Sequence, residues 1–122
     1  MSTVLVVEDD PNVRGLLQTL LVSEGYNVVT ADDGIGGLLK AAKEGPALIL
    51  LDVMMPDLGG VRVLDELQDD PNLSSIPVMV VTGTVDVVPA LRERLGDANV
   101  VVKPFGVDAL LARVHELIGE PV

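Results

Sequence analysis

The chain has 122 residues, the length of one domain, and residues 1–122 are expected to fold as a single unit. Nineteen acidic against eight basic residues give a net charge of −11, which opposes direct binding to nucleic acid or anionic lipid. The chain contains no cysteine, which excludes disulfide and thiolate chemistry. No apolar run approaches the roughly 18 residues of a membrane span, and the amino terminus lacks the basic start of a signal peptide. The sequence therefore predicts a cytoplasmic protein without membrane contact.

The first predicted unit is a strand, an acidic turn and a helix. Residues 3–7 are apolar and mostly β-branched, which is typical of a buried strand, and the acids of residues 8–10 follow directly. Pro11 suits the first position of a helix that Asp10 can cap, and Gly25 ends that helix.

The second unit repeats this order. Residues 27–31 predict a strand, and Asp33 is placed to cap a helix that runs to about Glu44. This helix carries Ile35, Leu38, Leu39 and Ala42 at helical spacing. Two consecutive glycines, Gly36 and Gly37, each cost the helix roughly 1 kcal/mol relative to alanine, so it is expected to be a weak one.

Three further strands follow, each ending on a polar residue. Residues 47–52 end on Asp52, residues 77–82 end on Thr82, and residues 99–102 lead directly to Lys103. Apolar residues at helical spacing predict three further helices. Val61, Leu64 and Leu67 face inward in the first, and Leu91 and Leu95 belong to the second, which has Pro89 in its first turn. The last helix runs from Val107 to Ile118.

Five strands that alternate with five helices predict an α/β fold, with a parallel sheet between two layers of helices. The carboxyl ends of parallel strands lie at one edge of the sheet, where ligands bind in folds of this class. Glu8, Asp9, Asp52, Thr82 and Lys103 are therefore expected to surround one crevice.

The predicted crevice combines the groups needed for phosphoryl chemistry. Two like charges about 4 Å apart cost on the order of 4 kcal/mol at an effective dielectric constant of about 20, so three carboxylates need cations. Lys103 supplies one positive charge, and carboxylate oxygens suit Mg²⁺ as the other. A carboxylate beside Mg²⁺, a lysine and a hydroxyl group can attack a phosphoryl group.

These motifs together resemble the receiver domain of two-component response regulators over essentially the whole chain. The resemblance rests on the acidic pair at residues 8–9, on Leu51-Asp52 with Met55-Pro56 behind it, on Thr82-Gly83 and on Lys103-Pro104-Phe105. It implies a (βα)5 doubly wound, flavodoxin-like three-layer sandwich with a five-stranded parallel sheet in the order 2-1-3-4-5.

The resemblance also implies roles for individual residues. Asp52 would be the phosphoacceptor, taking a phosphoryl group from a phosphohistidine of a sensor histidine kinase or a phosphotransfer protein. Glu8, Asp9, Asp52 and the backbone carbonyl of Met54 would hold Mg²⁺. Thr82 and Lys103 would each contact a phosphoryl oxygen, and the Lys103-Pro104 peptide bond would be cis. A downstream output protein or domain would respond to the switch, and the domain would catalyse only its own phosphorylation and dephosphorylation.

The sequence departs from the family pattern at four places. Glu8 replaces the commoner aspartate, Met54 occupies a variable position beside the phosphoacceptor, and Val100 stands where an aromatic residue is usual. The segment 82–96 is about one residue shorter than is usual and contains Pro89.

Three alternative functions are compatible with parts of this pattern. An aspartyl-phosphate phosphatase dependent on Mg²⁺ would usually need a second acid where Met54 stands. A flavodoxin-like electron carrier is opposed by the acidic crevice and by the presence of only two aromatic residues, Tyr26 and Phe105. The last alternative is a receiver that is not phosphorylated and serves only for docking.

Overall fold

The structure is a computed structural model, and it describes residues 2–53, 59–83, 85–96 and 99–119. Within these residues, the elements in chain order are β1 (Thr3–Val7), α1 (Pro11–Ser23), β2 (Asn27–Ala31), α2 (Gly34–Glu44), β3 (Leu48–Leu51), α3 (Gly60–Asp69), β4 (Val78–Thr82), α4 (Val88–Leu95), β5 (Val100–Val102) and α5 (Val107–Ile118). A short 3-10 turn, Val85–Val87, precedes α4.

The strands form one parallel sheet in the order β2-β1-β3-β4-β5, which confirms the predicted topology. All four residues of β3 are buried, as expected for a central strand with both faces covered. One apolar cluster joins the sheet to α2, α3 and α4, and a second cluster joins the other face to α1 and α5. The fold therefore has three layers.

The predicted signals for the start of α1 and the start of α4 are confirmed. The Asp10 carboxylate accepts a hydrogen bond from the backbone N–H of Asn12 at 2.8 Å, and Pro11 is the first residue of α1. Pro89 lies in the first turn of α4, where its missing N–H costs no helical hydrogen bond. Among the helices of the described ranges, none has the length and apolar character needed to cross a bilayer.

Helix α2 approaches the sheet most closely through its small residues, and of its larger aliphatic residues Leu38 packs partly buried against the same apolar cluster. Gly34, Gly37 and Ala41 are buried, whereas Ile35 is 56% and Leu39 is 67% exposed. A Cβ atom added at Gly37 would lie 2.8 and 2.9 Å from the two γ carbons of a β1 side chain. The glycine at this position therefore permits the close approach of helix and strand.

The inward face of α3 differs from the prediction at one position. Val63, Leu64 and Leu67 are buried, but Val61, which was predicted to face inward, is 41% exposed. Helical spacing groups residues 63, 64 and 67 on one face and leaves Val61 at its margin. The prediction of Val61 as a core residue is therefore wrong, and Val63 fills that role.

Candidate functional site

Backbone hydrogen bonds fix the residues that follow the strands at the carboxyl edge of the sheet. The N–H of Glu8 donates to the last carbonyl of β2 at 3.0 Å, and that of Asp52 donates to the Val7 carbonyl at 3.0 Å. The N–H of Lys103 donates to the carbonyl of Thr82 at 2.8 Å. These bonds extend the parallel pairing by one residue, so the polar side chains leave the sheet at defined places.

The structure brings three carboxylates together at this edge, as the sequence predicts. One oxygen each from Glu8, Asp9 and Asp52 lies within 4.8 Å of the others. Glu8 and Asp52 are buried, with 1% and 5% of their surface exposed, whereas Asp9 is exposed. The cluster can therefore present carboxylate oxygens from one open side to a cation.

Lys103 contacts both buried acids. Its Nζ lies 2.9 Å from Oε1 of Glu8 and 3.4 Å from Oδ2 of Asp52, and its side chain is 22% exposed. Burial by itself lowers the pKa of the Lys103 amine, but the hydrogen bond and charge of Glu8, followed by those of Asp52, outweigh burial and raise it. The amine is therefore a permanent positive charge in the crevice.

Lys103 does not fully compensate the buried Glu8 carboxylate. Burial raises the pKa of Glu8 to about 7, the hydrogen bond from Lys103 opposes this shift, and the charge of Asp52 adds to it. A carboxylate with so high a pKa is short of favourable interactions in its ionised form. The donor set thus fits a hard divalent cation, which would supply the missing positive charge.

The remaining predicted site residues divide into two groups. Thr82 is completely buried as the last residue of β4, and the Lys103-Pro104 peptide bond is cis, as the resemblance implied. The backbone carbonyl of Met54 and the Met55-Pro56 motif lie outside the described residues.

Arg14 supports the site and was not predicted from the sequence. Its Nη1 donates to the backbone carbonyl of Glu8 at 2.9 Å and to that of Asp9 at 3.4 Å. The side chain therefore ties α1 to the acidic turn without neutralising the carboxylates directly. The available signal was a basic residue one helical turn after the cap Asp10 in a chain with only eight basic residues.

The sequence agrees with this geometry at the level of the family. A family model described as the response regulator receiver domain matches residues 4–115. The chain belongs to the response regulator receiver domain family. The recognition made from the motifs is therefore confirmed.

Curated relatives show the same likeness over part of their length. The transcriptional regulatory protein CpxR homolog of Haemophilus influenzae is 40% identical over 119 residues, covering 97% of this chain and 51% of that protein. A probable transcriptional regulator, ycf27, of Cyanophora paradoxa is 41% identical over 116 residues, covering 94% of this chain and 47% of that protein. The chain spans about half the length of the curated relatives it matches.

Solved structures share the fold. The chemotaxis response regulator CheY4 of Vibrio cholerae superimposes with a TM-score of 0.84 at 28% identity, covering 96% of this chain and 98% of that one. The bacteriophytochrome response regulator RtBRR gives a TM-score of 0.81 at 29% identity, covering 96% of this chain and 78% of that one. Both likenesses extend over nearly the whole chain.

Proposed function

We propose that residues 1–122 form a single phosphoacceptor receiver domain in which Asp52 accepts a phosphoryl group. The observation that carries the proposal is that carboxylate oxygens of Glu8, Asp9 and Asp52 lie within 4.8 Å of one another. The amine of Lys103 forms ion pairs with Glu8 and Asp52, the two buried acids of this group. This arrangement supports a nucleophilic carboxylate in a site built for a cation and an incoming dianion. Membership of the receiver family argues against the electron-carrier alternative.

Mg²⁺ is the cofactor that this proposal requires. Glu8, Asp9 and Asp52 would hold it, together with the backbone carbonyl of Met54, which lies outside the described residues. When bound, the ion supplies positive charge that offsets the charge of the phosphoryl oxygens. The raised pKa of the buried Glu8 carboxyl supports this assignment because it shows an acid that lacks sufficient compensation.

The side chains of the crevice then have separate roles. An oxygen of Asp52 forms the bond to phosphorus while the bond from phosphorus to the donor histidine nitrogen breaks, and the imidazole keeps the electron pair. Lys103 pairs with one phosphoryl oxygen, and the hydroxyl of Thr82 donates a hydrogen bond to another. The chain's own chemistry is limited to gain and loss of this group, with no separate substrate.

The donor in this proposal is a phosphohistidine on a sensor histidine kinase or a phosphotransfer protein, in the cytoplasm. A downstream output protein or domain would respond to the phosphorylated form. The names of the relatives, several of them transcriptional regulators, support such an output. Their length, about twice that of this chain, is consistent with an output region in those proteins.

Intact mass after incubation with a small phosphodonor and Mg²⁺ tests the proposal. We expect the wild-type chain to gain one phosphoryl group, and we expect no gain in Asp52→Asn or when the metal is chelated. Asp69→Asn removes an exposed acid at the end of α3 and is the matched control, which should be modified like the wild type. A gain that persists in Asp52→Asn places the chemistry elsewhere, and no gain in the wild type supports the docking-only alternative.

A further inference from the structure

A groove between α2 and α3 lies outside the crevice described above. It encloses about 360 Å³, and we call it the α2–α3 groove. Its apolar lining is Leu38, Leu39, Ala42 and Leu73, and its acidic lining is Glu66, Asp69 and Asp70. Asp69 ends α3 and Leu73 precedes β4, so the groove lies toward the amino edge of the sheet, opposite the edge that carries Asp52.

The packing of α2 leaves aliphatic side chains at this groove without cover. Gly34, Gly37 and Ala41 occupy the sheet-facing side, so Leu39 is 67% exposed and Ile35, one turn earlier, is 56% exposed. Single exposed aliphatic residues are ordinary on protein surfaces. Here two of them lie on the same side of one helix, and one of them lines the groove. The two exposed side chains are therefore neighbours on one helix face rather than scattered positions.

The charge at the margin of the groove has one sign. The side chain of Glu66 is 53% exposed. Its ion-pair partner Arg62 is 3.7 Å away and 66% exposed, so this pair compensates the charge of Glu66 only weakly. Asp69 is exposed, and Asp70 accepts a hydrogen bond from the N–H of Asn72, which fixes its position. The groove therefore combines an apolar floor with a negative rim.

We propose that the α2–α3 groove binds an amphipathic helix of a partner protein, with aliphatic anchors on the groove floor and Lys or Arg beside the acids of the rim. Charge complementarity selects this occupant, because a second copy of a chain with net charge −11 would bring two negative rims together. A helix laid between two helices also matches the shape of the groove. The surface lies at the other edge from Asp52, so it would serve as a docking site that leaves the phosphorylation crevice open.

A synthetic peptide tests this docking site directly. The probe is a fluorescent helical peptide of about 18 residues with leucine at every third or fourth position and lysine on both flanks. Fluorescence anisotropy with the 122-residue chain should show binding that weakens between about 0.05 M and about 0.5 M salt. A peptide with glutamate in place of lysine, and one with the same lysines but no leucine, should each bind at least about tenfold more weakly.

Variants of the chain locate the binding surface. Leu39→Ser should weaken peptide binding about tenfold, and the double variant Glu66→Gln, Asp69→Asn should weaken it about fivefold and reduce the salt dependence. The control for Leu39→Ser is Val22→Ser, which removes an aliphatic residue of α1 that is 54% exposed. The control for the double variant is Glu93→Gln with Asp86→Asn, which removes two exposed acids elsewhere on the chain. Both controls should bind the peptide as the wild type does.

Three results would overturn the proposal. The first is that the control variants weaken peptide binding as much as the groove variants do. The second is that the acidic or the leucine-free peptide binds as tightly as the original peptide. The third is that the wild type forms a dimer in sedimentation velocity and that Leu39→Ser dissociates it. The last result would assign the groove to a second copy of the chain. Circular dichroism checks that each variant is folded, which is expected because the substituted side chains are exposed.

Discussion

Replacing Lys103 with methionine tests the electrostatics of the crevice most directly. The amine lies 2.9 Å from Glu8 and 3.4 Å from Asp52, and Coulomb's law at a dielectric constant of about 20 gives attractions of about 6 and about 5 kcal/mol. The cost of removing the amine from water offsets much of this attraction. Breaking a buried pair by removing one partner costs about 3 to 5 kcal/mol, which is the loss of unfolding free energy expected for Lys103→Met without metal.

The pH dependence of this loss follows from Glu8. A carboxyl whose pKa is higher in the folded state than in the unfolded state binds protons on folding, so stability falls as pH rises from about 4.5 through the folded pKa of about 7. Lys103→Met removes a hydrogen bond that lowers this pKa, so the fall continues to higher pH in the variant. The stability difference between wild type and variant should therefore widen as pH rises above about 7.

Urea denaturation in the presence of a chelator and then of Mg²⁺ measures these effects. Lys43→Met, at an exposed position on α2, is the matched control and should change stability by less than about 0.5 kcal/mol. Mg²⁺ should stabilise Lys103→Met more than it stabilises the wild type, because the ion then replaces the positive charge that Lys103 supplies to Glu8 and Asp52. Equal stability of the two lysine variants above about pH 7 in chelator would contradict the expected role of Lys103, and so would the absence of any stabilisation of either protein by Mg²⁺.

Three further predictions follow from individual contacts. Mg²⁺ affinity, measured by calorimetry, should fall by up to about tenfold per pH unit below about pH 7, because Glu8 must lose its proton to bind the ion. In Glu8→Gln the affinity should no longer depend on pH in this range. Gly37→Ala should destabilise the fold by about 1 to 3 kcal/mol in urea denaturation, because the new Cβ would lie 2.8 Å from a Val7 methyl. Gly15→Ala should instead stabilise the fold by about 0.5 to 1 kcal/mol, because nothing lies within 4 Å of the new Cβ. Tyr26→Phe should cost about 1 kcal/mol of thermal stability, because its hydroxyl donates to a carbonyl at the end of α5 at 2.7 Å; an unchanged melting temperature would contradict that assignment.

The strands and their parallel pairing could be predicted because their signals are local and repeated, whereas the sheet order 2-1-3-4-5 followed from the resemblance to the receiver family. Unbroken aliphatic runs such as Leu48–Leu51 predict doubly covered strands, and alternation with helices requires parallel pairing. The faces of the helices were less predictable. The sequence showed Ile35 and Leu39 of α2 only as apolar residues at helical spacing and did not show which face packs on the sheet. In the structure both are exposed, and Gly37 is the residue that lies against Val7. The steric fit between a helix and a strand depends on both elements together and cannot be predicted from the sequence of either one alone.

The candidate site was predictable for a related reason. Five polar residues follow four strand ends, and the parallel sheet alone brings them to one edge. The degree of burial could not be read from the residue pattern, and burial is what raises the pKa of Glu8 to about 7 and makes its pairing with Lys103 necessary. The position of Arg14 one turn after the cap was a signal, but the groups that it contacts were not predictable, because it reaches backbone carbonyls whose positions depend on the turn after β1.

The buried valine on β5 limits how a signal can leave the crevice. Val100 pairs with Val80 across the sheet, is 5% exposed and belongs to the apolar cluster that contains Val88 and Leu91 of α4. A valine has a single side-chain torsion and no ring, so it cannot alternate between a buried and an exposed rotamer as a large aromatic side chain can. If Asp52 is phosphorylated as proposed, a movement of Thr82 toward the phosphoryl group would therefore reach α4 through the chain after β4 and through the packing of Val88 and Leu91, rather than through a rotating ring.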